Sequence, residues 1–152
     1  MSPEECLAKL GIELPELTEP LPDAPYIPAV ITGDLVWVSG HSPGPDWRPG
    51  QVGTDYTVAE AKAAARAAGI HLLGAAKSVT QSLDDIDQVV RLLGHVNSAP
   101  GMTAASEVVN GCSELMIEVF GTSGRGVRSA VGVSTMPQNV PLSIEAVFHL
   151  KS

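Results

Sequence analysis

The sequence predicts an α+β fold: a mixed β-sheet with two helices packed on one face, in the order ββ-α-β-α-ββ. Three observations carry that prediction. Two β-prone runs flank the turn Thr32-Gly33-Asp34. Two long segments carry apolar residues at helical spacing, and three further runs alternate with period two. At 152 residues the chain is expected to form a single domain over 1–152, with 1–25 as an N-terminal extension.

Each element has a local reason. Ser2 to Leu10 reads as a short helix: Ser2 caps, Pro3 fits the first turn, and Glu5 lies three residues after the cap. Gly11 to Pro28 is rich in Pro, Glu and Asp and reads as an extended surface connection. Ile27 to Ile31 and Leu35 to Ser39 then form the hairpin. His41 to Asp55 holds three prolines and three glycines, as expected of a long irregular loop and a pocket rim. Thr57-Val58-Ala59-Glu60 is a capping box that opens an Ala-rich helix expected from Val58 to about Leu83. Ala61, Ala65, Ala68, Leu72, Ala76, Val79 and Leu83 form its apolar stripe.

Ile86 to Val96 alternates, with Val90, Leu92, Gly94 and Val96 on one side and Val89, Arg91, Leu93 and His95 on the other. Asn97 to Gly101 breaks it. A second helix is expected from about Thr103 to Phe120, stopped by Gly121. A Gly/Ser loop, Thr122 to Gly126, leads into the alternating run Gly126 to Val133. Met136-Pro137-Gln138-Asn139 turns the chain into a last strand, Leu142 to Leu150. There Leu142, Ile144, Ala146, Phe148 and Leu150 oppose Ser143, Glu145, Val147 and His149. With the helices on one face, the other is expected to keep Val89, Leu93, Ala130 and Val147. A sheet apolar on both faces wants a second cover, and other copies of the chain are the economical source.

Composition narrows the function classes. The 44% hydrophobic and 17% charged content belongs to a folded globular chain, and 4% aromatic content leaves a core of Ala, Val, Leu and Ile. Seventeen acidic residues against nine basic ones give a formal charge of −8. Such a surface repels phosphate backbones, so nucleic-acid binding is disfavoured. Cys6 and Cys112 show no metal-type spacing, and Cys112 reads as a buried inert thiol. Neither metal nor organic cofactor is expected. No apolar stretch is long enough for a bilayer, and the acidic start Met1-Ser2-Pro3-Glu4-Glu5 lacks a basic region before an apolar core. A cytoplasmic protein without membrane contact is the expectation.

The best pointer to a site is Arg128, near the head of the small, β-branched run Gly126 to Val133. A guanidinium there must reach water or an anion, because an unpaired buried charge is costly. Its planar fork suits two-point contact with a carboxylate, and a structural ion pair is the competing reading. Asn110 is a poor helix former inside a helix, so it either ties the helix to a loop or touches a ligand. Glu145 has apolar neighbours that suit a base, and pairing with an arginine is the alternative. His95 and His149 project from strand faces as candidate interface residues, and Trp37 reads as hairpin packing.

These pieces in order resemble the reactive-intermediate-deaminase (Rid, also called YjgF) family. The matching residues are the tyrosine of Pro25-Tyr26, the strand Leu35-Val36-Trp37-Val38-Ser39-Gly40 and the long helix after an irregular loop. Asn110, Arg128-Ser129, Met136-Pro137 and Ser143-Ile144-Glu145-Ala146 complete the set. The segment Leu93 to Gly101 looks like a longer-chain subgroup. The resemblance implies a chorismate-mutase-like fold assembled as a homotrimer, with sheets inside, helices outside and pockets at subunit interfaces. It implies that Arg128 grips a substrate carboxylate, with Tyr26, Ser39 and Asn110 beside it. In deaminase members a glutamate on the last strand positions the water that attacks an imine carbon.

This chain departs from that pattern. Ser143 stands at the glutamate position, and Glu145 lies two residues on, roughly 6–7 Å along the strand. A hydroxyl does not serve as a comparable base without help. His41 follows Ser39-Gly40 where glutamine is usual, and is the candidate to supply the missing proton handling, against the reading of an exposed loop histidine. Two functions follow: hydrolysis of imines or enamines derived from amino acids, or non-catalytic binding or sensing of a small carboxylated metabolite. Ribonuclease activity, a further association of the family, fits poorly with a −8 surface.

Overall fold

The computed structural model describes residues 1–16 and 23–152. Its strands are β1 (Ala29–Thr32), β2 (Leu35–His41), β3 (Ile86–Asn97), β4 (Val127–Val133) and β5 (Leu142–Leu150). They form one sheet in the order β1-β2-β5-β3-β4, antiparallel except for the parallel pair β3–β4. The helices are α1 (Pro3–Leu10), α2 (Val58–Thr80) and α3 (Ala105–Phe120). The α+β arrangement expected from the sequence is present, and among the described residues no helix is long and apolar enough to cross a membrane. Of the expected connection from Gly11 to Pro28, residues 17–22 lie outside the described residues.

Capping decides where the helices begin and end. Both expected capping boxes form: Ser2 with Glu5, and Thr57 with Glu60. Gly11 ends α1 in the left-handed region at φ 66°. α2 stops at Thr80, three residues short of the expected Leu83, because Gln81 turns to φ 70° and Ser82 caps a separate 3-10 turn, Leu83–Asp85. Leu83 stays fully buried there. α3 starts at Ala105 rather than Thr103, without a side-chain cap.

The two long helices meet through small residues. Ala61, Ala64, Ala65 and Ala68 of α2 are fully buried, and Gly111 of α3 lies so close that a Cβ there would run into the Lys62 carbonyl. Glycine is required at that crossing. At its margin Lys62 pairs with Glu114 at 2.9 Å, and Arg66 grips both oxygens of Glu118 at 3.1 and 2.8 Å. Leu72, Val108, Leu115, Ile144 and Phe148 fill the layer between helices and sheet. α1 joins this core through Leu7, while Glu4 accepts from the Leu83 amide at 3.0 Å and pairs with Lys77 at 2.9 Å.

Register corrects the expected face assignments. Strand β3 carries irregularities between Ile86 and Gln88 and between Val89 and Arg91. They turn Val89 into the core, fully buried against the helices, instead of onto the open face. Ala130 pairs with Gly94, which faces Val109 of α3, so it too lies on the helix side. The open face carries Val30, Trp37, Val127 and Val131, 43–68% exposed, around Leu93 and Val147. Its apolar character is retained, with different members.

One buried amide ties the irregular segments to the end of β3. Asn97 is fully buried, and its Nδ2 donates to Asn139 Oδ1 at 2.8 Å, Val140 O at 3.1 Å and Gly50 O at 3.3 Å. The Asn97 amide nitrogen donates to Pro141 O at 2.9 Å. Gln138 and Asn139, both at φ 56°, form the left-handed turn it holds.

Candidate functional site

Arg128 stands on the edge strand β4, opposite Leu92, and therefore points to the helix side of the sheet. There α3 receives it. The guanidinium donates to Asn110 Oδ1 at 2.7 Å and Ser113 Oγ at 3.1 Å through Nη1. Through Nη2 it donates to Ser106 Oγ at 2.6 Å and Ser106 O at 3.3 Å. All of these acceptors are neutral. They orient the cation without cancelling its charge. Among the described residues the arginine–lysine ion pairs join Arg48, Lys62, Arg66, Lys77 and Arg91 to carboxylates, and Arg128 is in none of them. A hollow of about 220 Å³ opens beside it, lined by Leu92, Ser113, Ile117, Arg125 and Arg128.

The partner set was half legible. Asn110 is singled out by its poor helix propensity, whereas Ser106 and Ser113 are not among the sequence candidates. The signal was available: Ser106, Asn110, Ser113 and Ile117 are spaced four, three and four apart, one stripe of α3. Cys112, in the same helix, is buried, and burial pushes its thiol up to about 12 despite the nearby Arg128 charge. It is inert packing, as its sequence context suggests.

The other candidates gather around β2 and β5. Between the pairs Val38–Ala146 and His41–Ile144 the β2 strand carries one extra residue, a bulge at Ser39-Gly40 opposite Glu145. A Cβ on Gly40 would stand 2.7 Å from Ser143 Oγ, so glycine is what lets the bulge settle over Ser143. Ser39 donates its hydroxyl to Ile27 O at 2.7 Å, and its amide donates to Pro28 O at 2.9 Å. It thereby holds the segment that follows Tyr26, a residue 67% exposed. Ser39 and Glu145 share a second hollow, about 240 Å³, with Ile27, Trp37 and Val147.

Glu145 is half-exposed: apolar side chains line the hollow beside it, and Arg91 faces it at 3.7 Å. His41 closes β2 instead of opening the loop, and it pairs with the core residue Ile144, on the face opposite Ser143 and Glu145. Its Nδ1 donates to Ser39 O at 2.6 Å, the only role a carbonyl partner permits. Burial lowers its pKa, and His71 of α2 adds to that. His71 itself lies against Gly44. His149 sits at the far end of β5 between Asp34 at 3.0 Å and Asp87 at 3.6 Å, remote from the bulge.

Within one copy, then, the candidates form two groups. Arg128 and Asn110 lie on β4 and α3; Ser39, Ser143 and Glu145 lie on β2 and β5. Three strand spacings separate β2 from β4 in the sheet order, roughly 14 Å, and the groups point to opposite faces. A larger hollow of about 760 Å³ between α1, Ile12–Glu16 and α2 contains none of them. Its Glu4, Glu13 and Glu16 make poor company for a carboxylate.

Comparison with known proteins assigns this arrangement. A family model described as "YjgF/chorismate_mutase-like, putative endoribonuclease" matches residues 4–149. Protein TCP17 of Trypanosoma cruzi is 37% identical over 150 residues, covering 96% of this chain and 92% of that protein. The crystal structure of Atu1372 from Agrobacterium tumefaciens, of unknown function, is 34% identical with a TM-score of 0.88, covering 99% of this chain and 94% of that one. A "putative endoribonuclease" from Shewanella oneidensis is 32% identical with a TM-score of 0.91, covering 99% and 100%. On the family model over nearly the whole chain and relatives more than 30% identical end to end, the chain belongs to the YjgF/chorismate mutase-like family.

Proposed function

We propose that this protein binds small carboxylated metabolites at a pocket shared between copies of a homotrimer, a pocket of the kind that hydrolyses 2-imino or enamino acids. The observation that carries the reading is the Arg128 guanidinium, oriented by Asn110, Ser106 and Ser113 and facing no carboxylate among the described residues. A cation fixed by neutral groups beside a hollow retains its attraction for an anion. The donors on Nη1 and Nη2 already serve α3, so a carboxylate is met by Nε–H, by the rotating serine hydroxyls and by the Asn110 amide. The two groups of candidate residues lie too far apart to act within one copy, and a neighbouring copy laid on the open apolar face is the means of joining them. In the hydrolysis, water adds to the C=N carbon and ammonia leaves, giving a 2-keto acid.

A second reading, binding or sensing without a reaction, has its own support. Ser143 replaces the expected glutamate, Glu145 is paired to Arg91, and His41 points to the helix side. Among the described residues the one carboxylate at the bulge is Glu145, and it faces Arg91. The −8 charge of the chain disfavours an RNA substrate. A cytoplasmic setting suits metabolite traffic of either kind.

The test is to incubate the protein with freshly generated 2-imino acids and follow ammonia release, alongside titration with 2-keto acids. Release above the uncatalysed rate establishes the enzyme. Saturable keto-acid binding without release establishes the binder. Absence of both, with RNA retarded in a gel at physiological salt, overturns the carboxylate reading.

A further inference from the structure

The hollow beside Arg128 contains a second arginine. Arg125 and Arg128 both line it, with Leu92, Ser113 and Ile117 as the remaining side chains in the wall. No acidic residue is in that lining. This is unusual in a chain carrying 17 acidic residues against nine basic ones. The acids nearest in sequence to Ile117 are Glu114 and Glu118, and both are drawn away to α2, onto Lys62 at 2.9 Å and Arg66 at 2.8 Å. Five of the nine basic side chains pair with carboxylates among the described residues, and Arg125 and Arg128 are not in that set. A local surplus of two positive charges is thus maintained inside an acidic protein.

The geometry is that of a double anion reader. Arg128, in the wall of the hollow, is braced by α3. Arg125 belongs to the short turn that feeds β4; it is exposed, and the stripe that braces Arg128 leaves it free to follow a ligand. Leu92 and Ile117 add apolar wall to the same hollow. At about 220 Å³ the space lies below the roughly 300–1,000 Å³ of drug-sized sites, which suits a small metabolite. We propose that Arg125 is a specificity-determining residue and that the preferred ligand is a dicarboxylate, one acid group at Arg128 and the second at Arg125. The inference rests on the carboxylate reading given above and narrows it to acidic, amino-acid-derived 2-keto or 2-imino acids.

The experiment compares two probes of equal chain length, 2-oxoglutarate and 2-oxovalerate, by isothermal titration of the full-length protein. Wild type is expected to prefer 2-oxoglutarate by roughly tenfold or more, the effect of one charge-assisted hydrogen bond. Arg125→Gln should bring the ratio of the two affinities to about one, and Arg125→Lys should restore part of it. Arg128→Gln should remove binding of both probes. If Arg125→Gln leaves the ratio at its wild-type value while Arg128→Gln abolishes binding, the dicarboxylate assignment is wrong and the carboxylate site stands. If wild type shows no preference between the probes, the assignment also fails. If neither probe binds wild type, both readings fall together.

Discussion

The β4–α3 edge and the β2–β5 bulge hold their polar groups in different ways. At the first, Arg128 has four hydrogen bonds to α3, three to side chains of one helical stripe and one to the Ser106 carbonyl, and among the described residues it pairs with no carboxylate. At the second, each reactive group already has an assignment: Ser39 on Ile27, Glu145 on Arg91, His41 on the Ser39 carbonyl. Preorganised charge without a counter-charge is a binding device, whereas polar groups that satisfy one another are architecture. The contrast teaches where affinity and chemistry should be sought separately.

Breaking the first region should have the largest effect. Arg128→Ala is expected to weaken 2-keto acid binding at least roughly hundredfold, because it removes the charge and strands its acceptors; sedimentation should give the same mass as wild type, and a lower mass would make the arginine structural. Gly111→Ala should come next, costing about 1–3 kcal/mol in denaturant unfolding, since the added methyl meets rigid backbone of α2. By shifting α3 it should also loosen the Arg128 brace. Asn110→Ala should reduce affinity by about tenfold with little change in stability, the loss of one bond to a charged partner.

The second region is sharpened by smaller changes. Burial lowers the His41 pKa from 6.5, so the folded protein binds fewer protons there than the unfolded chain. Stability from this group is complete above 6.5 and declines as pH falls from there toward the lowered value. Replacing His41 with Gln should flatten that part of the stability profile. Glu145→Gln should alter stability by less than about 1 kcal/mol, since its pair with Arg91 is exposed on both sides. A large drop in ammonia release in that variant would make Glu145 the base and remove the distinction drawn between the regions.

Local signals account for what the sequence revealed. Capping boxes at Ser2 and Thr57, the alternation of β5 and the hairpin around Gly33 are written in adjacent residues, and each element forms where those residues stand. Pairing between distant strands is not written there. Val89 enters the core only because irregularities in β3 shift its phase against β5, and His41 reaches the helix side only because Ser39-Gly40 bulges. The direction of Arg128 depends on its parallel register with Leu92. Ser106 and Ser113 were readable in principle, from their spacing to Asn110, once α3 was known to face β4.

The amide of Asn97 reaches further than its own neighbourhood. Its side chain fixes the turn through Asn139 and Val140, and its backbone N–H holds Pro141, one residue before β5 begins. Because Ser143 and Glu145 are two apart on one face, sliding the strand by two positions would exchange which of them confronts Gly40. Whether a hydroxyl or an acid is presented at that spot therefore depends in part on an upstream residue that touches neither.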